Sequence, residues 1–454
     1  MRNPTNKVVK FTEHITNGKN FKKPEAFEIL NLINSSDRNL NIYKGILAVH
    51  YFSKFGEFPD NSFEKFKTDE NFLKCLSFLK GKIFTSTEVG NIFLNILKIP
   101  DNNGRHRDIL MGCFYGSLWL FMNSTENFER AIECGIAIIK SAFNLDNFDI
   151  QRKLNFDKNK VKVISMAGSG KKEIKLLNIS SMAAIITAAT GKKIGENIVV
   201  EKTVSRATSS VTGSSDVFEL VGVNLNIPID KMADISLITK LGVFDINTIV
   251  PRLNHIYDNR LHNIQVFAGL VGGSAIVNPI NVDLINYGLT SGSTKLCLAI
   301  LSRLYPDKKH LVLQGKNSHG TSVIDQISIS GNTEIAQTIK NQITIQEITP
   351  LDFGFDFKSF KYIVTTQNQN ENLKRFIMIL VGNGNQELKQ AVAMEVALNL
   401  SGLGIINDLK KGADLALETI NSGAGIKVLE DLVVYSGGDK GKFNSLVNKF
   451  ANHC

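Results

Sequence analysis

The chain has 454 residues and a mass of 50.2 kDa, enough for a large catalytic domain and a smaller one. Its 43% hydrophobic and 21% charged residues are ordinary for a folded globular protein and exclude disordered, collagenous and coiled-coil classes. The 52 basic and 43 acidic residues give a net charge of +9, a field that favours polyanions such as phosphoesters or nucleic acid.

The amino terminus lacks the apolar stretch of a signal peptide, and no run of apolar residues is long enough to span a membrane. Cys75, Cys113, Cys134, Cys297 and Cys454 are odd in number and show no CxxC spacing. That argues against a disulfide framework or zinc knuckle and for a reducing, cytoplasmic location.

From Lys23 to about Cys134 the apolar residues recur at helical spacing, so residues 1–145 are expected to form a small all-helical domain. Two stretches inside it look alike. "KPEAFEILNLI" leads to "NIYKGILAVHYF" and "TSTEVGNIFLNIL" leads to "RDILMGCFYGSLWL", each pair being followed by a segment with Phe-Glu ("NSFEKF", "ENFERA"). This reads as a duplicated helical hairpin. The polar stretch Asn144 to Lys160 reads as a linker.

Beyond it the period changes. "VKVISMAG" and "KKIGENIVVEK" are β-type and flank a buried helix, "NISSMAAIITAATG", closed by Gly191. The β-rich pieces "HLVLQG", "SVIDQISI" and "KYIVTT" then alternate with helices "GSTKLCLAILSRLY" and "QELKQAVAMEVALNLSG". Residues 161–454 are therefore expected to form an α/β domain, a central mostly parallel sheet flanked by helices.

Two clusters have the chemistry to bind phosphate. The loop Gly168-Ser169-Gly170-Lys171-Lys172 follows a strand, and Asn178, Ser180 and Ser181 open the next helix. Small residues let backbone N–H groups approach an anion, and a helix start adds positive potential. After the next strand, "EKTVSRATSSVTGSSDVFELVG" offers Lys202, Arg206, Ser209 and Ser210, while Asp216 reads as a helix cap.

In this order the clusters resemble the anthranilate phosphoribosyltransferase family, whose members carry GTGGDG, NIST, KHGNRSxSSxxGSAD and then a DE pair before SxxGxT. The likeness runs from about Gly81 to Val434 and includes "ALETINSGAGIKVLEDLV". It implies a phosphoribosyltransferase acting on phosphoribosyl pyrophosphate (PRPP) and a small acceptor, with magnesium, as a homodimer with no membrane association. Residue by residue, Gly168, Ser169, Gly170, Lys171, Asn178, Ser180, Ser181, Lys202 and Ser209 fall on PRPP-binding positions. Ser180 and Asp325 fall on metal positions, and Lys171, Lys202 and Arg206 are the expected catalytic residues.

The departures touch function. Lys171 stands where the family has aspartate, Thr203-Val204-Ser205 where it has His-Gly-Asn, and Gln326 where it has the metal glutamate. Lost carboxylates favour one ion over two, and the altered acceptor side argues against anthranilate. Arg252, Arg260 or neither takes the family's acceptor-orienting position. His255 and His262, seven apart, are weak metal candidates; Cys113 and Cys134 read as core, and His319 as a loop residue. The alternative function is a non-catalytic relative that binds nucleic acid or a phosphorylated ligand in the same cleft.

Overall fold

A computed structural model describes residues 4–16, 18–35, 40–123, 128–157, 160–170, 174–206, 212–257, 266–271, 275–339 and 342–451. The chain divides into two compact units. One joins Met1–Asp149 with Arg252–Val271, and the other joins Ile150–Pro251 with Gly272–Cys454. Segment 252–271, assigned by sequence to the α/β part, thus packs with the helices. Its anchor is Asp146, whose carboxylate accepts from the amides of Arg252 at 2.9 Å and Leu253 at 2.8 Å.

The helical unit is built from two copies of one motif. Helices Pro4–Thr16, Lys23–Ser35 and Asn41–Phe55 recur as Glu70–Leu79, Ser86–Leu97 and Gly104–Asn123. The first helix of each copy ends at a glycine in the left-handed region, Gly18 at φ 73° and Gly81 at φ 78°. The second helix of each opens on a glutamate that reaches back to a backbone amide, Glu25 to Lys22 at 2.6 Å and Glu88 to Thr85 at 2.7 Å. The hairpin read twice from the sequence corresponds to the second and third helices of each set, and a further helix precedes each.

The other unit is the expected α/β domain. Its strands are β1 (Lys162–Gly168), β2 (Ile198–Val204), β3 (Leu241–Asp245), β4 (Leu284–Gly288), β5 (Lys309–Lys316), β6 (Ser322–Ile324), β7 (Thr333–Ile339) and β8 (Gln342–Ile348). They run in the order β3-β2-β1-β4-β5-β7-β8, with β6 pairing β5. The first five are parallel and the rest antiparallel. Long buried runs such as Ile198–Val204 mark strands covered on both faces.

Helix Gln386–Gly402 lies against one face, where Asn399 accepts from the Asn286 amide at 2.7 Å and donates to Thr187 Oγ1 at 3.0 Å. Two local expectations fail. The helix after β1 runs through Gly191 to Ile194, because Gly191 packs inward on Ile198. "KYIVTT" forms a short 3-10 turn and a single bridge from Val364 to Leu176 instead of a strand.

In the helical unit the two copies meet through Gly45 of Asn41–Phe55 and Gly112 of Gly104–Asn123. A Cβ at Gly112 would lie 1.9 Å from the carbonyl oxygen of Ile42, a backbone atom that cannot step aside. Gly112→Ala is expected to lower stability by about 1–3 kcal/mol, as overpacking does. Urea denaturation measures it, and an unchanged midpoint would contradict this packing.

Candidate functional site

Parallel strands change direction of build at β1: the chain adds β2 and β3 on one side, then returns to add β4 and β5 on the other. Open α/β sheets leave a crevice at the carboxyl ends of the strands at such a point. Here Gly168 ends β1 and pairs in register with Gly288, which ends β4.

The turns beyond these glycines are tied together. The Ser169 amide donates to the Gly288 carbonyl at 2.8 Å, and the Thr290 amide donates to Ser169 Oγ at 2.9 Å. Thr290 Oγ1 donates to the Gly170 carbonyl at 2.5 Å. Asp325 closes the arrangement, its Oδ2 accepting from the Gly170 amide at 2.8 Å.

Only glycine fits beneath it. A Cβ on Gly168 would lie 2.5 Å from Asp325 Oδ2, and one on Gly288 would lie 1.9 Å from the Asp325 carbonyl oxygen. Asp325 is in turn held by its own segment. Glu395 accepts from the Ile327 amide at 2.7 Å, the Ser328 amide donates to Thr333 Oγ1 at 2.8 Å, and Ser328 Oγ donates to the Lys316 carbonyl at 2.6 Å.

Downstream of the loop, the start of helix Ile179–Ile194 is fixed by residues 363–365. The Leu177 amide donates to the Ile363 carbonyl at 3.0 Å, and the Thr365 amide donates to the Lys175 carbonyl at 2.9 Å. Asn178 makes no side-chain cap hydrogen bond, and both it and Ser180 are partly exposed. Ser181 is fully buried, and its hydroxyl has no hydrogen-bond partner among the described residues.

Lys202 and Arg206, expected to be catalytic, are placed differently from each other. Lys202 is buried, with Nζ donating to the carbonyls of Met166 and Thr203, both at 3.2 Å, so its charge sits beneath the ends of β1 and β2. Arg206 is clamped by Glu219, with one bond of 2.6 Å, and by Asp216 at 3.3 Å. These carboxylates, Glu219 foremost, raise its pKa, balance its charge and tie the end of β2 to helix Ser214–Leu220. Asp216 is the expected cap, accepting from the Gly213 amide at 2.7 Å. Lys171, Ser209, Ser210, Arg260 and His262 lie outside the described residues.

The remaining candidates have local explanations. Arg252 Nη1 donates to the Leu145 carbonyl at 2.8 Å, a tie within the helical unit. His255 is exposed beside Asp101 at 3.7 Å, and His319 is exposed on its loop. Cys113 and Cys134 are core, as read from the sequence. Among the described residues, no three His, Cys, Asp or Glu side chains gather as a metal cluster. The Asp325 carboxylate and the Ser180 hydroxyl are oxygen donors of the kind that hold a hard cation such as magnesium.

Sequence reasoning missed Gly288, Thr290 and Glu395. "YGLTSGST" has the same Gly/Ser make-up as the first loop, and Glu395 is a lone acid in the apolar run "AVAMEVALNL"; both signals were readable. A second buried acid, Glu201, lies beside Ser165 in the register of β1 and β2.

Residues 160–426 match the model of the glycosyl transferase family, a/b domain. The anthranilate phosphoribosyltransferase of Glaesserella parasuis is 29% identical over 278 residues, 60% of this chain and 77% of that one. That of Francisella tularensis is 29% identical over 286 residues, 62% and 79%. Among solved structures, the enzyme of Thermus thermophilus superposes with a TM-score of 0.61 at 21% identity, covering 81% of this chain and 99% of that one. The enzyme of Saccharomyces cerevisiae in complex with PRPP and Mg gives 0.63 at 16% identity, covering 82% and 99%. The fold read from the sequence is thereby borne out.

Burial pushes the Glu201 carboxyl well above the usual range, against an opposing pull from Lys153. Neither carboxyl oxygen has a hydrogen-bond partner among the described residues. The native state thus keeps a proton that the unfolded chain releases. Stability should fall as pH rises from the ordinary carboxylate range through the raised native value. Glu201→Gln is expected to flatten that decline in denaturant titrations between about pH 5 and 9. A slope identical to that of the wild type would show that Glu201 does not carry it.

Proposed function

The chain belongs to the glycosyl transferase family, and from that premise we propose that it is a phosphoribosyltransferase. It transfers ribose 5-phosphate from PRPP to a small acceptor other than anthranilate, with release of pyrophosphate. The observation that carries this reading is the pair of turns at the β1/β4 switch, fixed backbone to backbone and pinned by Asp325. No helix among the described residues is long and apolar enough to cross a membrane. Buried free cysteines suit the reducing cytoplasm, where we place the protein.

Displacing pyrophosphate from the anomeric carbon builds positive charge on the sugar and negative charge on the leaving group. The protein must therefore orient both partners and oppose the departing charge, and it needs no nucleophilic side chain. Gly168, Ser169 and Gly170 offer a narrow, rigid approach to phosphate, and Asn178 and Ser180 offer polar side chains at a helix start. Lys202 supplies a fixed charge beneath the strand ends, and Lys171, with Ser209, completes the phosphate side by its place in the motif order.

When bound, a single magnesium ion adds positive charge at the phosphates, with Ser180 and Asp325 as its protein partners. Gln326 cannot contribute the charge of a carboxylate. Lysine opposes the leaving group's charge without coordination geometry, so Lys171 takes over part of the ion's work.

Two experiments test this. PRPP binding by calorimetry should be lost in the folded Asn178→Ala/Ser180→Ala double variant, because hydrogen bonds to a charged ligand contribute about 1.5–3 kcal/mol each. With EDTA present, residual binding should persist in the wild type and fall in Lys171→Ala. Absence of PRPP binding under every condition would favour the second reading, a non-catalytic relative holding nucleic acid or a phosphorylated ligand, which the net charge of +9 supports.

Anthranilate is expected to be turned over poorly. Thr203 and Val204 are buried and replace the family's acceptor-side residues, and Arg252 is engaged elsewhere. A pocket with different polar partners discriminates by orders of magnitude, and efficient turnover by the purified protein would refute the assignment.

A further inference from the structure

The contact between the two helical copies has the form of a two-fold interface. In the repeat, Ile42 and Gly45 of the first copy correspond to Ile109 and Gly112 of the second. A Cβ on Gly45 would lie 2.0 Å from the Ile109 carbonyl oxygen, and a Cβ on Gly112 would lie 1.9 Å from the Ile42 carbonyl oxygen. The contacts are reciprocal: each copy offers a glycine to the other's matching isoleucine carbonyl. That is the signature of an isologous contact, in which one surface patch meets itself about a two-fold axis.

The copies differ in what else they touch. The second copy binds segment 252–271 through Tyr115 Oη to Tyr257 Oη, and Asp146, beyond a further helix Phe128–Phe143, holds the first amides of that segment. The corresponding position in the first copy is Ala48, which has no hydroxyl. The first copy's prominent contact is therefore the self-matching face of the second.

We propose, in place of the homodimer that the family resemblance implies, that the first copy acts as the built-in partner of the second: Ile42/Gly45 and Ile109/Gly112 close a homotypic interface within one chain, and the protein works as a monomer. A face that is self-complementary and already covered by its own kind has nothing left to offer a second chain. Uncovering it restores that capacity, because the second copies of two molecules can then meet through Ile109 and Gly112 as the two copies now do.

Light scattering during gel filtration, over a hundredfold range of protein concentration, reads this directly. The full chain should show the mass of one chain, 50.2 kDa, at every concentration. A mass of two chains would overturn the proposal. In the full-length Gly45→Val variant, the added side chain drives the copies apart at the Ile109 carbonyl. If folded by circular dichroism, it should show a concentration-dependent species of twice the mass. A folded variant that stays at one-chain mass throughout would also overturn the proposal, since a merely structural contact would fail without creating a dimer. Should the variant not fold, the wild-type mass alone decides.

Discussion

The close approach of Asp325 to two glycines governs the functional end of this molecule. Gly168 and Gly288 finish neighbouring parallel strands in register, and the Asp325 backbone and carboxylate fill the space that side chains would otherwise occupy. That packing brings the Asp325 carboxylate to the Gly170 amide, fixing the direction of the first turn. A charged acceptor makes this a strong bond, and burial at 5% exposure shields it from water. The neighbouring elements serve this arrangement. Glu395 holds the Asp325 segment from a helix, Thr290 bridges the two turns, and residues 363–365 set where helix Ile179–Ile194 begins.

How much of this the sequence reveals depends on whether the interaction is local. The strand, loop and helix around Gly168 are read easily because a period change and a run of small residues lie within one short window. The helical duplication is readable for the same reason, as apolar spacing repeats within each hairpin. The partners of Arg206 are not legible locally, because Glu219, well along the chain, takes its guanidinium. Thr290 and Glu395 act on residues more than sixty positions away, and no local pattern reports such a pairing. The strands β3, β4, β7 and β8 go unread for a related reason. Five-residue buried strands such as Leu241–Asp245 carry no alternation, and β7 and β8 have mixed polar patterns suited to the exposed end of a sheet.

The same physical device appears in both units at different scales. In the helical unit, Gly45 and Gly112 let two helices touch backbone to backbone, and in the α/β unit Gly168 and Gly288 let a carboxylate touch a strand end. In neither place can a larger residue be accommodated by a rotamer change, because the opposing atom is main chain or a carboxylate fixed by its own hydrogen bond. Glycines of this kind constrain the fold more tightly than the apolar core around them, where volume-conserving exchanges are tolerated.

This separation of geometry from side-chain chemistry explains how the chain keeps a family architecture while changing charged residues at the site. The turns at β1 and β4 are held by the Ser169 amide, the Ser169 and Thr290 hydroxyls and the Asp325 carboxylate. What changes is the balance of charge. Lys202 is fixed by carbonyls beneath the strand ends, whereas Arg206 is balanced by carboxylates and contributes little net field. A frame set by glycines, hydroxyls and one carboxylate thus leaves the charge at the strand ends to separate side chains, of which Lys202 is held by carbonyls and Arg206 by acids.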